Sequence, residues 1–290
     1  MVFNVKLFIC TLLLLLAGSS SIAQPIEYGF DNEEFRRITG SLNVKNVLYD
    51  SKNVLWLYTD KGIYNHVKGR KNIKELFSAN YWNVESSILY EDSKQRLWFA
   101  NEHPDFKLRF IRNNLVFTVL FPFSFRTTCI FEAPDGTYWI GTMDKGCIVL
   151  RQAETGQWLY SILSNVNKIP TEVYSIFKAS NDDLFLTTRK GLLKWNTANR
   201  QALQMKAKLP GLIQLSYGCN FNDSILLLGT WGNGIYHYNV KTDKLFPGIP
   251  GGMLAQSKSF VSGISKVDDE VLISTWGSGA VILKGGRVLN

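Results

Sequence analysis

Two glycine-rich segments of the chain each contain a tryptophan, and tryptophan and glycine support different chemistry. The segments are "GTWGNG" and "STWGSG", and their tryptophans are Trp231 and Trp276. A phosphate-binding loop needs a following lysine or a helix that begins at the loop, and neither pattern is found here. An exposed indole instead stacks on the apolar face of a sugar ring. Trp231 and Trp276 are therefore candidate ligand contacts, the alternative being that each indole covers its own glycines as a loop plug.

Related loops elsewhere in the chain carry polar side chains that could bond sugar hydroxyls. Asp60, Asp144 and Arg189 lie in turns of the same kind as those of the two tryptophans. Trp82 and Arg126 lie in a second set of loops, which we expect at the same end of the fold. For each charged residue the alternative is a solvated turn position, because short polar side chains also stabilise turns.

Motifs for enzymatic chemistry are weak. The three histidines, His66, His103 and His237, are far apart in the sequence, so they do not form a metal-binding motif. The chain has no G-x-S-x-G segment of a serine hydrolase. Its Asp-containing turns resemble those of sialidases, but its arginines have no context diagnostic of that family's catalysis. We expect a non-enzyme without a cofactor or metal, and glycoside cleavage of the sialidase or lyase type is the alternative.

The elements that would position these loops are repeated along the chain. A short apolar strand with a central aromatic or aliphatic residue recurs six times, at spacings of 42, 41, 46, 42 and 45 residues. This period is typical of a four-stranded β-propeller blade. The central residues, which we expect to pack between sheets, are Trp56, Trp98, Trp139, Phe185, Leu227 and Leu272.

The repeats predict an all-β propeller of four-stranded antiparallel blades with six blades, or part of a larger ring. Each unit has three clear strands and a weaker fourth, as in "KELFSA", "QWLYSIL" and "QALQMKA". Residues 33–39 are interpreted as an additional outer strand, and "GGRVLN" as the outer strand of the last unit. If the first of these completes the last blade, the ring closes with six blades; if both are outer strands, the ring is larger or truncated.

The start of the chain predicts export. Lys6 precedes the apolar run Leu7–Ala17, and small residues precede a cleavage position after Ala23. We expect a signal peptide at 1–23, a propeller at 24–290, a periplasmic or secreted location, and no membrane insertion after cleavage. The net charge of +8 comes from scattered basic residues, so nucleic acid is not an expected partner. Cys129, Cys147 and Cys219 have no metal-type spacing and are interpreted as buried free thiols, with one disulfide as the alternative.

The best-preserved unit, "APDGTYWIGTMDKGC", resembles the two-component regulator propeller repeat, which occurs in periplasmic sensor parts of hybrid two-component systems, largely of Bacteroidetes. The matching residues are Asp135, Gly136, Trp139, Gly141, Thr142 and Gly146. The resemblance implies a propeller that binds an oligosaccharide and signals to a kinase. No later transmembrane, kinase or receiver segment is expected in this chain. A membrane histidine kinase or a second propeller is therefore an expected partner, and a protein-interaction scaffold is a further alternative.

Overall fold

The computed structural model describes residues 32–67, 73–78, 88–100, 107–180, 182–205, 213–251, 259–267, 270–276, 279–285 and 287–289. The expected signal peptide at 1–23 lies outside these residues, as do Trp82 and His103. The chain divides into two compact units, the first ending at Ser124 and the second beginning at Phe125. Each unit is built from four-stranded antiparallel sheets, which are the blades of a β-propeller.

The first unit contains one helix, α1 (Asn32–Thr39), and two blades. Each blade is a meander of four consecutive strands. The strands are β1 (Val44–Tyr49), β2 (Val54–Thr59), β3 (Gly62–Val67) and β4 (Lys74–Ser78) in blade 1, and β5 (Ile88–Glu91), β6 (Leu97–Ala100), β7 (Leu108–Arg112) and β8 (Leu115–Val119) in blade 2.

The second unit contains four blades and a short 3-10 helix, Asn165–Asn167. Blade 3 consists of β9 (Thr127–Glu132), β10 (Tyr138–Thr142), β11 (Cys147–Gln152) and β12 (Trp158–Leu163). Blade 4 consists of β13 (Val173–Lys178), β14 (Leu184–Thr188), β15 (Gly191–Asn196) and β16 (Gln201–Gln204). Blade 5 consists of β17 (Leu215–Asn222), β18 (Ile225–Thr230), β19 (Ile235–Asn239) and β20 (Lys244–Pro247), and blade 6 of β21 (Phe260–Val267), β22 (Glu270–Trp276), β23 (Gly279–Lys284) and β24 (Arg287–Leu289).

The predicted fold class is confirmed, with six four-stranded antiparallel blades. The expected outer strand at 33–39 is wrong, because these residues form helix α1. Ile38 is buried while Arg36 and Arg37 are exposed, and the Gly40 amide donates to the Arg36 carbonyl at 2.8 Å, which closes the helix. The outer strand expected in "GGRVLN" is confirmed as β24, which pairs with β23.

The second strand of each blade is the most deeply buried, whereas the fourth strand is partly exposed. In β10 every residue is buried, and in β12 only Leu163 is. A strand covered on both faces must be apolar along its whole length, which explains why these strands lack the alternation typical of a half-exposed sheet. Trp56, Trp98 and Trp139 are 7%, 0% and 8% exposed, which confirms their predicted packing role.

Side-chain hydrogen bonds connect neighbouring blades within each unit. In the first unit, the Tyr58 hydroxyl donates to the Ala100 carbonyl at 2.8 Å. In the second, the Thr128 hydroxyl donates to the Val173 carbonyl at 2.5 Å, and the Thr187 hydroxyl to the Ser216 carbonyl at 2.8 Å. The first of these two bonds joins the first strands of blades 3 and 4, and the second joins the second strand of blade 4 to the first strand of blade 5. They fix the spacing between these blades, beside which the candidate site lies.

The three cysteines of the described region are free thiols. Cys147 and Cys219 are buried and Cys129 is half-buried. Burial raises the pKa of Cys129 to about 11 and that of Cys219 to about 12. Because a thiolate is the reactive form, these side chains behave as small apolar residues of the strands.

Candidate functional site

Five turns between second and third strands share one hydrogen-bonding pattern. Each begins with a threonine whose hydroxyl donates to the carbonyl of the glycine that ends the turn. In the turn that contains Trp231, Thr230 donates to Gly234 at 2.8 Å and accepts from the Asn233 amide at 3.0 Å. The equivalent threonines are Thr59, Thr142, Thr188 and Thr275, with distances of 3.0, 2.9, 2.8 and 2.7 Å. The glycines therefore have a structural role in closing the turn.

In four of these turns the residue after the threonine is hydrogen-bonded to the residue that precedes the first strand of the same blade. The amide of Trp231 donates to the carbonyl of Gln214 at 3.0 Å, and the amide of Arg189 donates to that of Glu172 at 3.3 Å. Asp60 and Met143 make the same bond in blades 1 and 3, to Asn43 at 3.1 Å and Arg126 at 2.9 Å. The equivalence of these turn positions, inferred from the repeat, is thus visible in the backbone bonds.

The first strands begin with a β-bulge opposite these turns. In blade 4, Val173 pairs with Thr188 and Ser175 with Thr187, which leaves Tyr174 as the extra residue. The same register shift leaves Thr128 extra in blade 3 and Ser262 in blade 6. A bulge bends its strand and redirects a side chain, and such irregularities are common beside functional sites. In blade 4 the redirected side chain is a tyrosine.

The candidate residues Asp60 and Asp144 each accept a hydrogen bond from a backbone amide. Oδ1 of Asp60 accepts the Asn43 amide at 3.1 Å, and Oδ1 of Asp144 accepts the Arg126 amide at 3.2 Å. Both carboxylates therefore fasten a second-to-third-strand turn to the start of a first strand. The side chain of Arg126 is exposed beside Asp144, in blade 3.

Arg189 pairs with a residue that the sequence analysis did not single out. Its Nη1 lies 2.8 Å from Oε1 of Glu172. The hydrogen bond from Arg189 lowers the pKa of Glu172, so this carboxylate stays ionised. Burial raises the pKa of the neighbouring Tyr174, and the charge of Glu172 adds to the rise, so the phenol stays protonated. The three side chains form a polar group with a fixed charge pattern at the end of blade 4.

Trp231 lies against this group. Its ring contacts Tyr174 edge-on, with centroids 6.3 Å apart and planes at 75°. Trp231 remains 39% exposed, so part of the indole is accessible to solvent. The structure thus brings Trp231 and Arg189 together through Tyr174, in neighbouring blades of the second unit.

Phe260 extends the aromatic series to Trp276. A Cβ atom built on Gly232 would lie 3.2 Å from Cζ of Phe260, so the phenyl ring packs directly over the turn that carries Trp231. Phe260 is the cross-strand partner of Trp276 at the ends of β21 and β22, and the two are 45% and 60% exposed. We call Tyr174, Trp231, Phe260 and Trp276 the aromatic arc; it runs across one end of blades 4, 5 and 6.

Sequence reasoning missed Tyr174, Phe260 and Glu172. All three lie at or just before a first strand, where the repeat has no constant residue type. The available signal was an aromatic residue at the entry of two first strands, in "EVYSIF" and "SKSFVSG". The bulge that presents Tyr174 depends on interstrand register, which the sequence does not reveal.

The arc and its ion pair can do two things chemically. Exposed rings offer apolar faces to a flat ligand, and the Arg189–Glu172 pair offers a donor and an acceptor for hydroxyl groups. Within the described ranges, no group of three or more His, Cys, Asp or Glu side chains is placed to hold a metal ion. The two described histidines, His66 and His237, lie within the third strands of blades 1 and 5.

Comparison with known proteins supports the resemblance seen in the repeat. Residues 121–144, which include β9, β10 and the start of the Thr142 turn, match the family model named "Two component regulator propeller". The chain carries a two-component regulator propeller repeat. Among curated protein sequences, none matches this chain.

Two similar solved structures are extracellular domains from B. thetaiotaomicron described as parts of hybrid two-component systems. The domain of BT4673 has a TM-score of 0.68 and 19% identity over 88% of this chain and 37% of its own. The domain of BT3049 has a TM-score of 0.64 and 16% identity over 82% and 33%. This chain therefore spans about a third of the length of each domain.

A third similar structure is an enzyme. A catalytically inactive variant of virginiamycin B lyase from Staphylococcus aureus has a TM-score of 0.65 and 15% identity, over 87% of this chain and 85% of the lyase. At these identities the likeness shows a shared fold and not a shared activity. Among the helices in the described part of the chain, none has the length and apolar character that crossing a membrane requires.

Proposed function

We propose that this regulator-repeat propeller is a ligand-binding, sensor-type protein that recognises an oligosaccharide at the aromatic arc. The observation that carries the proposal is the series of aromatic side chains from the half-buried Tyr174 to the exposed Trp231, Phe260 and Trp276. Monomeric proteins seldom expose aromatic side chains together without a binding partner.

The polar end of the arc favours a sugar over a purely apolar ligand. A sugar ring has apolar C–H faces that stack on indoles, and hydroxyl groups that need donors and acceptors around its edge. Glu172 is held ionised by Arg189 and lies beside Tyr174, so acceptor and donor are fixed next to the rings. Asp144 and Arg126, which belong to the second unit, remain candidate contacts of the same proposal. Asp60 and Trp82 belong to the first unit and remain candidates from the sequence.

The similarity to extracellular domains of sensor systems supports the sensor part of the proposal. An exported propeller of this kind would act in the periplasm or outside the cell, and would pass ligand binding to a membrane histidine kinase or to a second propeller. A scaffold for protein partners would use the same surface and would not respond to sugars.

The lyase neighbour gives the enzymatic alternative a specific basis, because its fold likeness covers most of both chains. A lyase or glycosidase needs a proton donor or acceptor beside the reacting bond. The candidates nearest to the arc are the Glu172 carboxylate, whose pKa is lowered by Arg189, and the Tyr174 phenol, whose pKa is raised by burial.

The proposal is tested by thermal unfolding of the exported protein in the presence of a panel of oligosaccharides. A specific ligand that binds the folded state raises the unfolding temperature in a concentration-dependent way. We expect at least one oligosaccharide to stabilise the protein and to be recovered intact after prolonged incubation.

The same samples separate the alternatives. Conversion of the oligosaccharide into new products would support the enzymatic function and reject the sensor function. No stabilisation by any member of a broad panel would reject the oligosaccharide as the ligand class.

A further inference from the structure

A second feature of the chain lies at the opposite end of the strands, at the turns between first and second strands. In blade 1, Asp50 begins this turn and its Oδ2 accepts the indole N–H of Trp56 at 2.9 Å. In blade 2, Oδ2 of Asp92 accepts the indole N–H of Trp98 at 2.7 Å. A buried indole N–H requires such an acceptor, and in both blades a carboxylate six residues earlier supplies it.

Blade 3 keeps the tryptophan and loses the carboxylate. Ala133 stands six residues before Trp139, and its turn has the same backbone bonds as that of Asp50: the Ala133 amide donates to Thr137 at 2.8 Å and the Gly136 amide to Ala133 at 2.9 Å. The Cβ of Ala133 is therefore placed as that of Asp50 is. Blade 4 has neither the carboxylate nor the tryptophan. Ala179 begins its turn, and the side chain of Phe185 has no N–H that needs an acceptor.

Without this carboxylate, the indole N–H of Trp139 lacks the acceptor found in blades 1 and 2, and a cavity lies beside the ring. Trp139 is 8% exposed, and no hydrogen bond from its indole N–H to another described residue is present. Nε1 is not among the fully buried polar atoms without a partner, so this N–H reaches the open space beside the ring. A cavity of about 480 Å³ lies between blades 3 and 4, lined by Ala133 and Trp139 and by Trp195, whose ring meets Trp139 edge-on at 5.2 Å. The N–H of Trp195 also lacks an acceptor within the described part of the chain.

The remaining lining of the cavity gives the chemistry of its occupant. Phe131, Val149 and Leu184 supply apolar walls. The acidic side chains at the rim are already engaged: Asp135 accepts bonds from Thr137, Asp182 pairs with Lys178 at 2.6 Å, and Asp183 pairs with Lys194. The guanidinium of Arg200, also at the rim, has no partner among the described residues.

We propose that this cavity binds a small organic carboxylate with an apolar body, whose carboxylate takes the place that Asp50 and Asp92 fill in blades 1 and 2. The apolar body packs against Trp195 and the aliphatic walls, and the carboxylate accepts the Trp139 N–H with Arg200 nearby. This site is separate from the aromatic arc and does not depend on the function proposed for it.

The direct test is a titration of the protein with 3-phenylpropionate, followed through the indole N–H resonances by NMR. The Trp139 resonance is assigned by its disappearance in Trp139→Phe, a change that keeps an aromatic ring as Phe185 does in blade 4. We expect saturable movement of this resonance, and binding of 3-phenylpropan-1-ol, which has the same body without the carboxylate, weaker by about tenfold or more.

The decisive variant is Ala133→Asp, which restores the carboxylate of blades 1 and 2. We expect it to fold with an unfolding temperature at or above that of the original protein, and to bind 3-phenylpropionate at least about tenfold more weakly. Ala153→Asp is the matched control, since Ala153 begins a turn with the same backbone bonds on the far side of blade 3 and does not line the cavity. It should leave binding unchanged.

Three results would overturn the proposal. The first is the absence of any movement of the Trp139 resonance up to the solubility of the probe, which would mean that only water fills the cavity. The second is equal binding of the acid and the alcohol. The third is undiminished binding of 3-phenylpropionate by both Ala133→Asp and Trp139→Phe. The two variants are interpreted together, so that a folding defect in one of them does not decide the result.

Discussion

Asp92 shows how one residue supports a blade. Its carboxylate is fully buried, accepts the Trp98 N–H at 2.7 Å and lies 2.6 Å from Nε of Arg96, which is also buried. Burial alone would raise the pKa of Asp92, but hydrogen bonds from Trp98 and Arg96 outweigh it and the pKa is lowered. The carboxylate is therefore charged and paired in the folded protein.

Replacing Asp92 by Asn should destabilise the protein strongly. The variant removes the charge facing Arg96 and keeps the side-chain size, and breaking a buried pair costs about 3–5 kcal/mol of the free energy of unfolding. Because the folded-state pKa lies below the ordinary value of 3.8, this stabilisation is present above that pH and is lost as the pH falls below it. Urea unfolding of both proteins between pH 7 and pH 3 measures the difference.

Asp135→Asn is the control for this prediction. Asp135 is exposed and bonds only within its own turn, to Thr137, so its replacement should cost less than about 1 kcal/mol. A loss in Asp92→Asn no greater than in the control, or one that does not shrink on acidification, would contradict the assigned role of Asp92.

At the scale of elements, blades 5 and 6 are held at a distance that only a glycine permits. A Cβ atom on Gly229 in β18 would lie 2.5 Å from Cγ1 and 2.8 Å from Cβ of Val261 in β21. Gly229 directly precedes the turn with Trp231, so this close approach also sets where the indole stands relative to Phe260.

Gly229→Ala should lower the free energy of unfolding by about 1–3 kcal/mol, because the added methyl group overpacks the interface between these blades. Val261→Ala removes Cγ1, the nearer of the two clashing atoms, and leaves Cβ in place, so the double variant should lose less stability than the sum of the two single variants. A double-mutant cycle by urea unfolding measures this coupling. Additive losses would show that Gly229 and Val261 do not oppose each other.

Much of the blade architecture could be predicted from the sequence, because each second strand carries a recurring apolar core. Five of the six turns between second and third strands also carry a Thr and a Gly. Helix α1 was missed because the expected outer strand rested on the need to close a ring, whereas Ile38 and the exposed Arg36 and Arg37 follow helical spacing. Trp231 and Trp276 could be proposed from the sequence because they break the repeat, and their role in binding stays a prediction. Tyr174 and Phe260 could not, because a bulge and a cross-strand partner belong to the register.

At the scale of the whole molecule, the candidate site is assembled from separate blades of one unit. Tyr174, Trp231 and Phe260 come from blades 4, 5 and 6, with the first and last of them 86 residues apart in the numbering of the chain. A propeller brings such distant residues together because every blade presents the same turn at the same end. A change of residue type in one turn should therefore alter the proposed ligand contacts without altering the fold.

Export is a prediction for the whole molecule. Expressed with its first residues in a Gram-negative host, the protein should be cleaved between Ala23 and Gln24, because small residues precede that bond and an apolar run precedes them. Intact mass of the periplasmic fraction measures the cleavage position, and Ala23→Arg should block it. A cytoplasmic protein that retains residues 1–23 would contradict the predicted signal peptide.

The aromatic arc is the central claim, and its most direct test is the oligosaccharide affinity of matched tryptophan variants measured by calorimetric titration. Trp158 is the control, because it contacts Tyr138 edge-on at 6.0 Å, much as Trp231 contacts Tyr174, but lies on the outer strand of blade 3. We predict that Trp231→Ala and Trp276→Ala each weaken binding about tenfold or more, about 1.4 kcal/mol, and that Trp158→Ala does not. Unchanged affinity in both arc variants, or an equal loss in Trp158→Ala, would contradict the account.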